Sequence, residues 1–428
     1  MKALFKAPLL FVAMRYLLGR SKKGSRYLLG AAAGIALSLI PIIVTLIVAD
    51  GMIRGITDRF MELGTGHLQI WPYRNDVLFD SRLELAKEKV SKIKEVLGVW
   101  EEKQGLGIIV TAKGKAGTTI RALDPMSWED SGSEKYLTVI SGDSGIQNED
   151  DVLLGEALAK SVGAEVGKTL RIMTIRTNED GKNIPRLKVY KVRGIVSSGY
   201  HDLDSMWCII NLEAGEKLFQ DNNCYTFLTV KIDDPYNSAD YVKAKIDFEL
   251  NGKFGIYTWK ELQQSQYKSY ESTRQMLILI MALIVLVASV NVSSATSMLV
   301  IERQRDIAVL KSFGVYPAET RKIFLWASFL TGITGAAAGI TAGLFVGYNI
   351  NQIIHMLENF INFWTKLFNG SHVRILDPDF YLETIPIVVD TKTVFFIAVF
   401  TVICSLVASL FPSIRAGRTK PIELLRKY

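Results

Sequence analysis

The chain has 428 residues, a formal net charge of +7 and a hydrophobic content of 49%. That content is high for a soluble protein, and a chain of this length has room for about two or three domains. The basic residues cluster beside long uncharged runs, so they indicate membrane topology, and nucleic-acid binding is not expected.

Four uncharged runs are long enough to cross a bilayer, for which about 20 apolar residues suffice. They cover residues 27–49, 275–301, 323–357 and 393–414. The third run exceeds one span, and we expect its polar end, near His355, to leave the membrane as an exposed helix. Ion-driven carriers need ionisable groups inside their spans. No run contains Asp, Glu, Lys or Arg, which argues against a secondary transporter or an ion pump.

Lysine and arginine beside the spans predict the orientation. Segment 1–26 has seven basic and no acidic residues, 302–322 has five basic and three acidic, and 415–428 has five basic and one acidic. Because cytoplasmic segments are enriched in Lys and Arg, these three are predicted to be cytoplasmic, which puts 50–274 and 358–392 outside. We interpret the N-terminal segment as an amphipathic helix on the membrane surface and not as a cleaved signal peptide.

The sequence therefore predicts an α-helical membrane protein of four transmembrane helices, with a large mixed α/β extracytoplasmic domain between the first and second. The predicted order is an amphipathic segment 1–26, first span 27–50, external domain 51–258, stalk helix continuing into the second span 259–301, coupling loop 302–322, third span with an outer extension 323–357, outer loop 358–392, fourth span 393–414 and cytoplasmic tail 415–428.

Within the external domain, residues 82–100 have helical periodicity. We place Leu85, Val90, Ile93 and Val96 on one face and end the helix at Gly98. Strand patterns follow at 105–125, 186–199, 205–212 and 224–232. Three cysteines are too few for a disulfide framework. Cys208 and Cys224 both fall in this domain and could form a bridge, but free thiols are favoured; Cys404 is interpreted as a packing residue of the fourth span.

Two segments resemble nucleotide-binding motifs without matching them. In "GAEVGKT" at 163–169 the glycines are one residue too close for a P-loop, and "GEALAKS" at 155–161 lacks the second glycine. ATP hydrolysis would therefore need another chain.

Small residues recur at helical spacing in two spans and predict close helix packing, since they let backbones approach in lipid. The residues are Gly30, Gly34, Gly332, Gly335, Gly339 and Gly343. The spacing favours packing within the subunit and packing between subunits equally.

The stretch "LVIERQRDIAVLKSFGVYPAETRK" at 299–322 follows the second span directly and is amphipathic. Ile307, Leu310 and Phe313 are predicted to share one face, and Gly314 to end the helix. Such a helix fits a groove on a partner protein. A positively charged loop resting on lipid is the alternative.

The same stretch resembles a motif of FtsX-like ABC permeases, and so does the C-terminal "FPSIRAGRTKPIELLRKY". Three further segments resemble the lipoprotein-releasing permeases of the LolC/LolE group. They are "MRYLLGRSKKG" (14–24), "VRGIVSSGYHDLDSMWCIINLEAGEKLF" (192–219) and "ILDPDFYLETIPIVVD" (375–390).

The resemblance implies a permease of the bacterial inner membrane that extracts lipoproteins and passes them to a periplasmic carrier. It implies a second FtsX-like permease, identical or distinct, and two copies of a cytoplasmic subunit that binds ATP and magnesium. Membrane lipid is a further partner, and no catalytic residue, cofactor or metal site is expected on this chain.

The resemblance also implies roles for particular residues. The helix docked on the ATPase would contain Glu302, Arg303, Arg305, Asp306, Ile307, Leu310, Lys311, Phe313 and Gly314. Acyl chains would enter between the first and second spans against Ile43, Ile47, Met276 and Leu279. A hairpin at 176–186 would contact the carrier through Arg176, Ile184, Pro185 and Arg186, although a plain hairpin tip is equally favoured.

Other functions remain open at this point. A peptide or drug exporter would share the fold, and so would an FtsX-like regulator of cell-wall hydrolases, whose external domain is usually smaller. A purely structural anchor would not need the motif at 302–314.

Overall fold

The computed structural model describes residues 24–73, 79–128, 131–146, 148–177, 183–219, 224–367, 374–375, 382 and 384–418. The chain divides into two compact units. We call Met1–Gly51, Tyr270–Val373 and Ile385–Tyr428 the helical unit, and Met52–Ser269 with Arg374–Thr384 the α/β unit. Nearly all of the predicted N-terminal amphipathic segment (1–23), part of the outer loop (368–373, 376–381 and 383) and most of the C-terminal motif (419–428) lie outside the described residues.

The described part of the α/β unit contains a ten-stranded mixed sheet. Its strands are β1 (Leu68–Pro72), β2 (Val96–Val110), β3 (Lys115–Leu123), β4 (Thr138–Gly142), β5 (Asp151–Gly155), β6 (Thr169–Thr177), β7 (Asn183–Ser197), β8 (Trp207–Asn211), β9 (Tyr225–Ile232) and β10 (Phe254–Thr258).

Six of these strands close into a ring. β2 pairs with β3, β3 with β8, β8 with β5, β5 with β7, β7 with β6, and β6 again with β2. Barrels of about eight strands have an interior just wide enough for side chains, and a ring of six strands is narrower. A buried apolar cluster that includes Ile109, Ile120, Leu154, Tyr190 and Ile210 forms the core of this part.

The remaining strands extend the sheet in the order β10, β1, β9 and β2, with β4 beside β7. A second apolar cluster lies where α2 (Phe79–Ser91) and α8 (Ala239–Glu249) cover these strands. Here the sequence prediction for 82–100 is wrong beyond Ser91, because β2 begins at Val96. Val90 is buried as predicted, but Leu85 is exposed, and the buried face of α2 also carries Leu83 and Ala86.

Short helices connect the strands. They are α3 (Pro125–Trp128), α4 (Ser131–Tyr136), α5 (Glu156–Val162), α6 (His201–Met206), α7 (Leu212–Leu218) and α9 (Trp259–Leu262).

Four long apolar helices confirm the four predicted spans by length and composition. They are α1 (Gly24–Arg59), α10 (Gln264–Glu302), α12 (Pro317–Tyr348) and α14 (Thr391–Arg418), with α11 (Gln304–Ser312) and α13 (Ile350–Leu367) between them. The predicted unbroken stalk is interrupted once, at Gln263, between α9 and α10. The third span ends at Tyr348, and its predicted extension is the separate helix α13.

Glycines of α12 lie against α1 and α14. A Cβ atom placed on Gly339 would lie 2.8 Å from Leu39 Cβ and 2.9 Å from the Ala36 backbone, and one on Gly335 would lie 2.8 Å from the Ala32 carbonyl oxygen. A Cβ atom placed on one of the other glycines would likewise lie closest to Ser405 for Gly332, to Ile43 for Gly343 and to Ile47 for Gly347. The α12 glycines therefore pack within the subunit.

The two glycines predicted to pack in the first span make little contact within the subunit. Among the described residues, no neighbour lies within 4 Å of a Cβ placed on Gly30, and only Asn291 comes near Gly34, at 3.8 Å. The small residues of α1 that receive the glycines of α12 are Ala32 and Ala36, which sequence reasoning missed.

Candidate functional site

The predicted coupling helix is α11, which follows α10 after a one-residue break at Arg303. The helix ends at Ser312, and Gly314, two residues later, has a φ of +91°, which is disfavoured for residues with a Cβ atom. The Gly314 amide donates to the Lys311 carbonyl (3.0 Å), and the Val315 amide donates to the Leu310 carbonyl (3.2 Å). A sharp turn then leads into α12 at Pro317.

Two residues attach α11 to the helical unit. Ile307 is 1% exposed and packs in a cluster with Leu28, Leu299, Phe324 and others. Lys311 Nζ donates to the Gly417 carbonyl at the end of α14 (2.7 Å), and burial lowers the pKa of Lys311. The helix is therefore held at the ends of the spans and does not extend freely from them.

The predicted apolar docking face is only partly present. Ile307 points inward, Leu310 is half-buried, and Phe313 is 83% exposed. The exposed apolar side chains are Val309, Phe313 and Tyr316, at intervals of four and three residues, which we call the exposed stripe. Sequence reasoning missed Val309, although its spacing of four residues from Phe313 was a signal that could have identified it. It also missed Tyr316, which lies beyond the turn at Gly314, where helical spacing no longer applies.

Charged residues surround the exposed stripe. Glu302, Arg305 and Asp306 are exposed, and Arg303 Nη1 pairs with Asp306 Oδ2 at 3.1 Å. An apolar stripe with charged neighbours has the composition of a protein-binding surface: an apolar centre with a polar rim.

At the opposite ends of the spans, Arg274 joins three segments of the helical unit. Its Nε donates to Asp50 Oδ1 and its Nη2 to Asp390 Oδ2, each at 2.8 Å. Thr393 Oγ1 also donates to Asp390 (2.6 Å). Hydrogen bonds from Thr393 and then Arg274 lower the pKa of Asp390, against the opposing effect of burial. We call Asp50, Arg274 and Asp390 the charge cluster; it links α1, α10 and the start of α14.

Within the α/β unit, the end of α1 and the start of the stalk meet on Tyr236. Tyr236 Oη donates to Asp58 Oδ1 (2.5 Å), and the Arg54 guanidinium lies 4.8 Å from the Tyr236 ring centroid. Trp259 packs edge-on against the same ring at 5.4 Å and donates from Nε1 to the Pro235 carbonyl (2.9 Å). Burial, and then the hydrogen bond to Asp58, raise the pKa of Tyr236, so its hydroxyl remains a donor.

The stalk itself begins with a strong cap. The Thr258 side chain accepts from the Glu261 amide, and the Glu261 carboxylate accepts from the Thr258 amide (2.9 Å). Such a reciprocal cap fixes the first turn of a helix and its direction. The end of α1 and the start of the stalk are therefore both held by contacts to Tyr236.

The structure does not group the four predicted acyl-chain residues. Met276 and Leu279 are exposed on α10, but Ile43 and Ile47 are buried against Gly343 and Gly347 of α12. A buried side chain offers no surface to an acyl chain, so the assignment does not fit Ile43 and Ile47. The glycines opposite them leave no gap between α1 and α12.

The predicted hairpin is formed by β6 and β7. Arg176 pairs with Ile184 and Ile175 with Pro185, while the tip at 178–182 lies outside the described residues. Ile184 and Pro185 are exposed and Arg186 is half-buried. Three further exposed apolar residues lie on these strands: Ile175, Leu187 and Val189. The hairpin is thus more apolar than its tip sequence indicated.

The cysteines are free in the structure, with Cys208 buried and Cys224 half-buried. This agrees with the favoured interpretation of two free thiols. Burial raises the pKa of both thiols.

Two family models match the chain. A MacB-like periplasmic core domain matches residues 28–247, more than half of the chain, and the C-terminal region of FtsX-like permeases matches residues 278–421. The chain belongs to the FtsX-like permeases with a MacB-like periplasmic core domain. With its four apolar helices, this permease is a multi-pass protein of the bacterial inner membrane.

Similar proteins match the permease along nearly its whole length. It is 28% identical to the "Lipoprotein-releasing system transmembrane protein LolC" of Neisseria meningitidis, over 97% of this chain and 98% of that protein. It is 22% identical to LolE of the same system from Haemophilus influenzae, over 98% and 99%. Among solved structures, the periplasmic region of MacB from Actinobacillus actinomycetemcomitans is 16% identical, over 49% of this chain and 95% of that one, with a TM-score of 0.32.

Proposed function

We propose that this permease is the transmembrane subunit of an ABC transporter that extracts lipoproteins from the inner membrane and passes them to a periplasmic carrier. The observation that carries the proposal is the full-length similarity to transmembrane proteins of lipoprotein-releasing systems. That similarity includes both the helical unit and the α/β unit, so it is not limited to a shared permease fold.

ATP hydrolysis takes place on a separate cytoplasmic subunit, present in two copies, and this chain is not itself catalytic. The positive charge at 1–26, 302–322 and 415–428 supports a cytoplasmic location for both termini and for α11. The exposed stripe then faces the ATP-binding subunit, which also binds the magnesium. A second FtsX-like permease completes the membrane part.

The cargo stays in apolar surroundings as it leaves the bilayer. Removing a lipid chain from the membrane costs about 0.8 kcal/mol per CH₂ group if the chain enters water. A lipoprotein with three acyl chains would cost tens of kcal/mol to transfer into water, more than one cycle of ATP hydrolysis can supply. Protein surface must therefore shield the acyl chains. Met276 and Leu279 lie on the exposed apolar face of α10 and are the candidates for this contact.

The hairpin of β6 and β7 is the candidate contact for the carrier. Ile175, Ile184, Leu187 and Val189 are exposed on its two strands. Exposed apolar residues grouped on one hairpin favour a binding surface over a plain connection.

The test is release of a labelled lipoprotein from proteoliposomes that contain the permease, its partner permease and the ATP-binding subunit, with soluble carrier and ATP outside. We expect ATP-dependent transfer to the carrier. Leu187→Asp should lower transfer several-fold and leave ATP hydrolysis intact, because Leu187 is exposed and is proposed to contact the carrier, whereas ATP hydrolysis depends on the proposed contact at the exposed stripe. Leu85→Asp, the same substitution at an equally exposed leucine on helix α2 of the α/β unit, should leave both unchanged.

Absence of ATP-dependent transfer in the active assembly would contradict lipoprotein release. Activation of a cell-wall hydrolase by the same assembly would favour the regulator function instead. Equal losses of transfer in the two variants would refute the hairpin assignment alone.

A further inference from the structure

Helix α13 begins directly where the third span ends. The span helix α12 stops at Tyr348, a single non-helical residue, Asn349, follows, and α13 runs from Ile350 to Leu367. Asn349 Nδ2 donates to the Phe345 carbonyl (2.8 Å), which helps to end the span helix. The new helix therefore begins directly after the apolar span, separated from it by one non-helical residue.

One face of α13 is apolar and open. Six of its large apolar side chains are between 40% and 76% exposed. They are Ile353, Met356, Leu357, Phe360, Phe363 and Trp364, spaced three or four residues apart along one side of a helix. The other side carries His355, Asn359 and Lys366.

The polar side of α13, and not its apolar side, is attached to the protein. Asn351 Nδ2 donates to the Ile385 carbonyl (3.0 Å), and the Ile385 amide donates to Asn351 Oδ1 (3.1 Å). The Glu358 side chain is largely buried as well. An amphipathic helix in water packs with its apolar side inward. The reversed arrangement indicates that apolar surroundings lie on the open side.

The start of α13 lies at the level of the charge cluster. Ile385, to which Asn351 is bonded, packs against Gly51, where its Cγ2 would lie 3.2 Å from an added Cβ. Gly51 is next to Asp50, which binds Arg274. Charged residues at the ends of apolar spans mark the boundary between hydrocarbon and head groups.

We propose that α13 lies in the plane of the lipid–water interface, on the side of the charge cluster, with its apolar face in the acyl chains of that leaflet. The occupant of the open face is lipid, because α13 continues the membrane-spanning part of the chain at its boundary. Its single tryptophan, Trp364, has the side chain enriched at such interfaces. Helices of this kind enter the head-group and acyl boundary to a depth of about 5–10 Å. The inference depends on membrane location and not on the identity of the cargo.

The test uses the whole permease in phospholipid bilayers, with its three cysteines replaced by alanine and one spin label at a time. Phe360→Cys and Met356→Cys place the label on the apolar face, and His355→Cys places it on the polar face as the matched control. Accessibility to oxygen, which concentrates in lipid, is compared with accessibility to a water-soluble nickel chelate. We expect a higher oxygen-to-nickel ratio at 360 and 356 than at 355.

Equal, high nickel accessibility at all three positions would mean that α13 extends into water, and it would overturn the proposal. Low accessibility to both reagents at 360 and 356 would mean that a protein partner or a second copy covers the face, and it would overturn the proposal as well. An environment-sensitive fluorescent amino acid at 356 and 355 gives the same comparison without replacing the cysteines: we expect a blue-shifted emission at 356 only.

Discussion

Replacing Phe313 with Asp is expected to abolish the ATP hydrolysis stimulated by assembly of the transporter, while the permease stays folded and inserted. Phe313 is 83% exposed, so the helical unit loses no internal contact. A partner groove that receives an aromatic side chain would instead have to bury a carboxylate, which is strongly unfavourable. Central aromatic contacts of this kind contribute about 2 kcal/mol or more, or at least about 30-fold in affinity.

Ala318→Asp is the matched control for this prediction. It adds the same charge at an exposed position outside the exposed stripe, in the first turn of α12, where a negative charge suits the helix dipole. We expect it to retain ATP hydrolysis and membrane insertion. Full activity of the Phe313→Asp variant, or equal losses in both variants, would contradict the docking role of the stripe.

Replacing Gly339 with Leu is expected to disrupt the helical unit. Even the first added carbon would lie within 2.8–2.9 Å of Leu39 Cβ and the Ala36 backbone, and a helix backbone cannot move aside without separating α1 from α12. Overpacking a tight contact costs about 1–3 kcal/mol, and a full leucine exceeds a single methyl group. The measurement is thermal unfolding of the purified permease in detergent.

Gly30→Leu tests the same substitution where the structure leaves room. Among the described residues, no neighbour comes within 4 Å of that site, and leucine favours a helix more than glycine does. We expect an unchanged or slightly raised unfolding temperature for Gly30→Leu and a clear decrease for Gly339→Leu. A large decrease at Gly30 alone would instead place the contact surface between subunits.

The spans could be predicted from the sequence, because a chain in lipid must satisfy its backbone hydrogen bonds within each helix. Which face of each helix packs against its neighbours could not be predicted. Gly30 and Gly34 have the same spacing as the glycines of α12, but Ala32 and Ala36 make the contact. Residue spacing shows that a helix has a stripe of small residues. It does not show which face of the helix turns toward its neighbour, because that depends on packing.

The coupling helix illustrates the same limit. Its position and its terminal glycine follow from the sequence. Ile307 and Val309, however, lie on two different faces of one short helix, and packing against the cluster that includes Leu299 and Phe324 decides which face is buried. Periodicity identifies an amphipathic helix without deciding between a core contact and a partner contact.

The polar connections could not be predicted at all. Arg274 binds Asp50 across 224 positions of sequence, and Tyr236 binds Asp58 across 178. Charged residues beside spans are common, and nothing in the local pattern identifies their partners. Such pairs depend on the tertiary fold.

The most direct measurement is photo-crosslinking from a reactive amino acid at position 313 in the intact, membrane-embedded transporter. The proposed coupling predicts a crosslink to the ATP-binding subunit from 313 and none from position 356 on α13. If position 313 forms only lipid adducts or no adduct, with no crosslink to the ATP-binding subunit in an assembly that hydrolyses ATP, the result would contradict the proposed coupling.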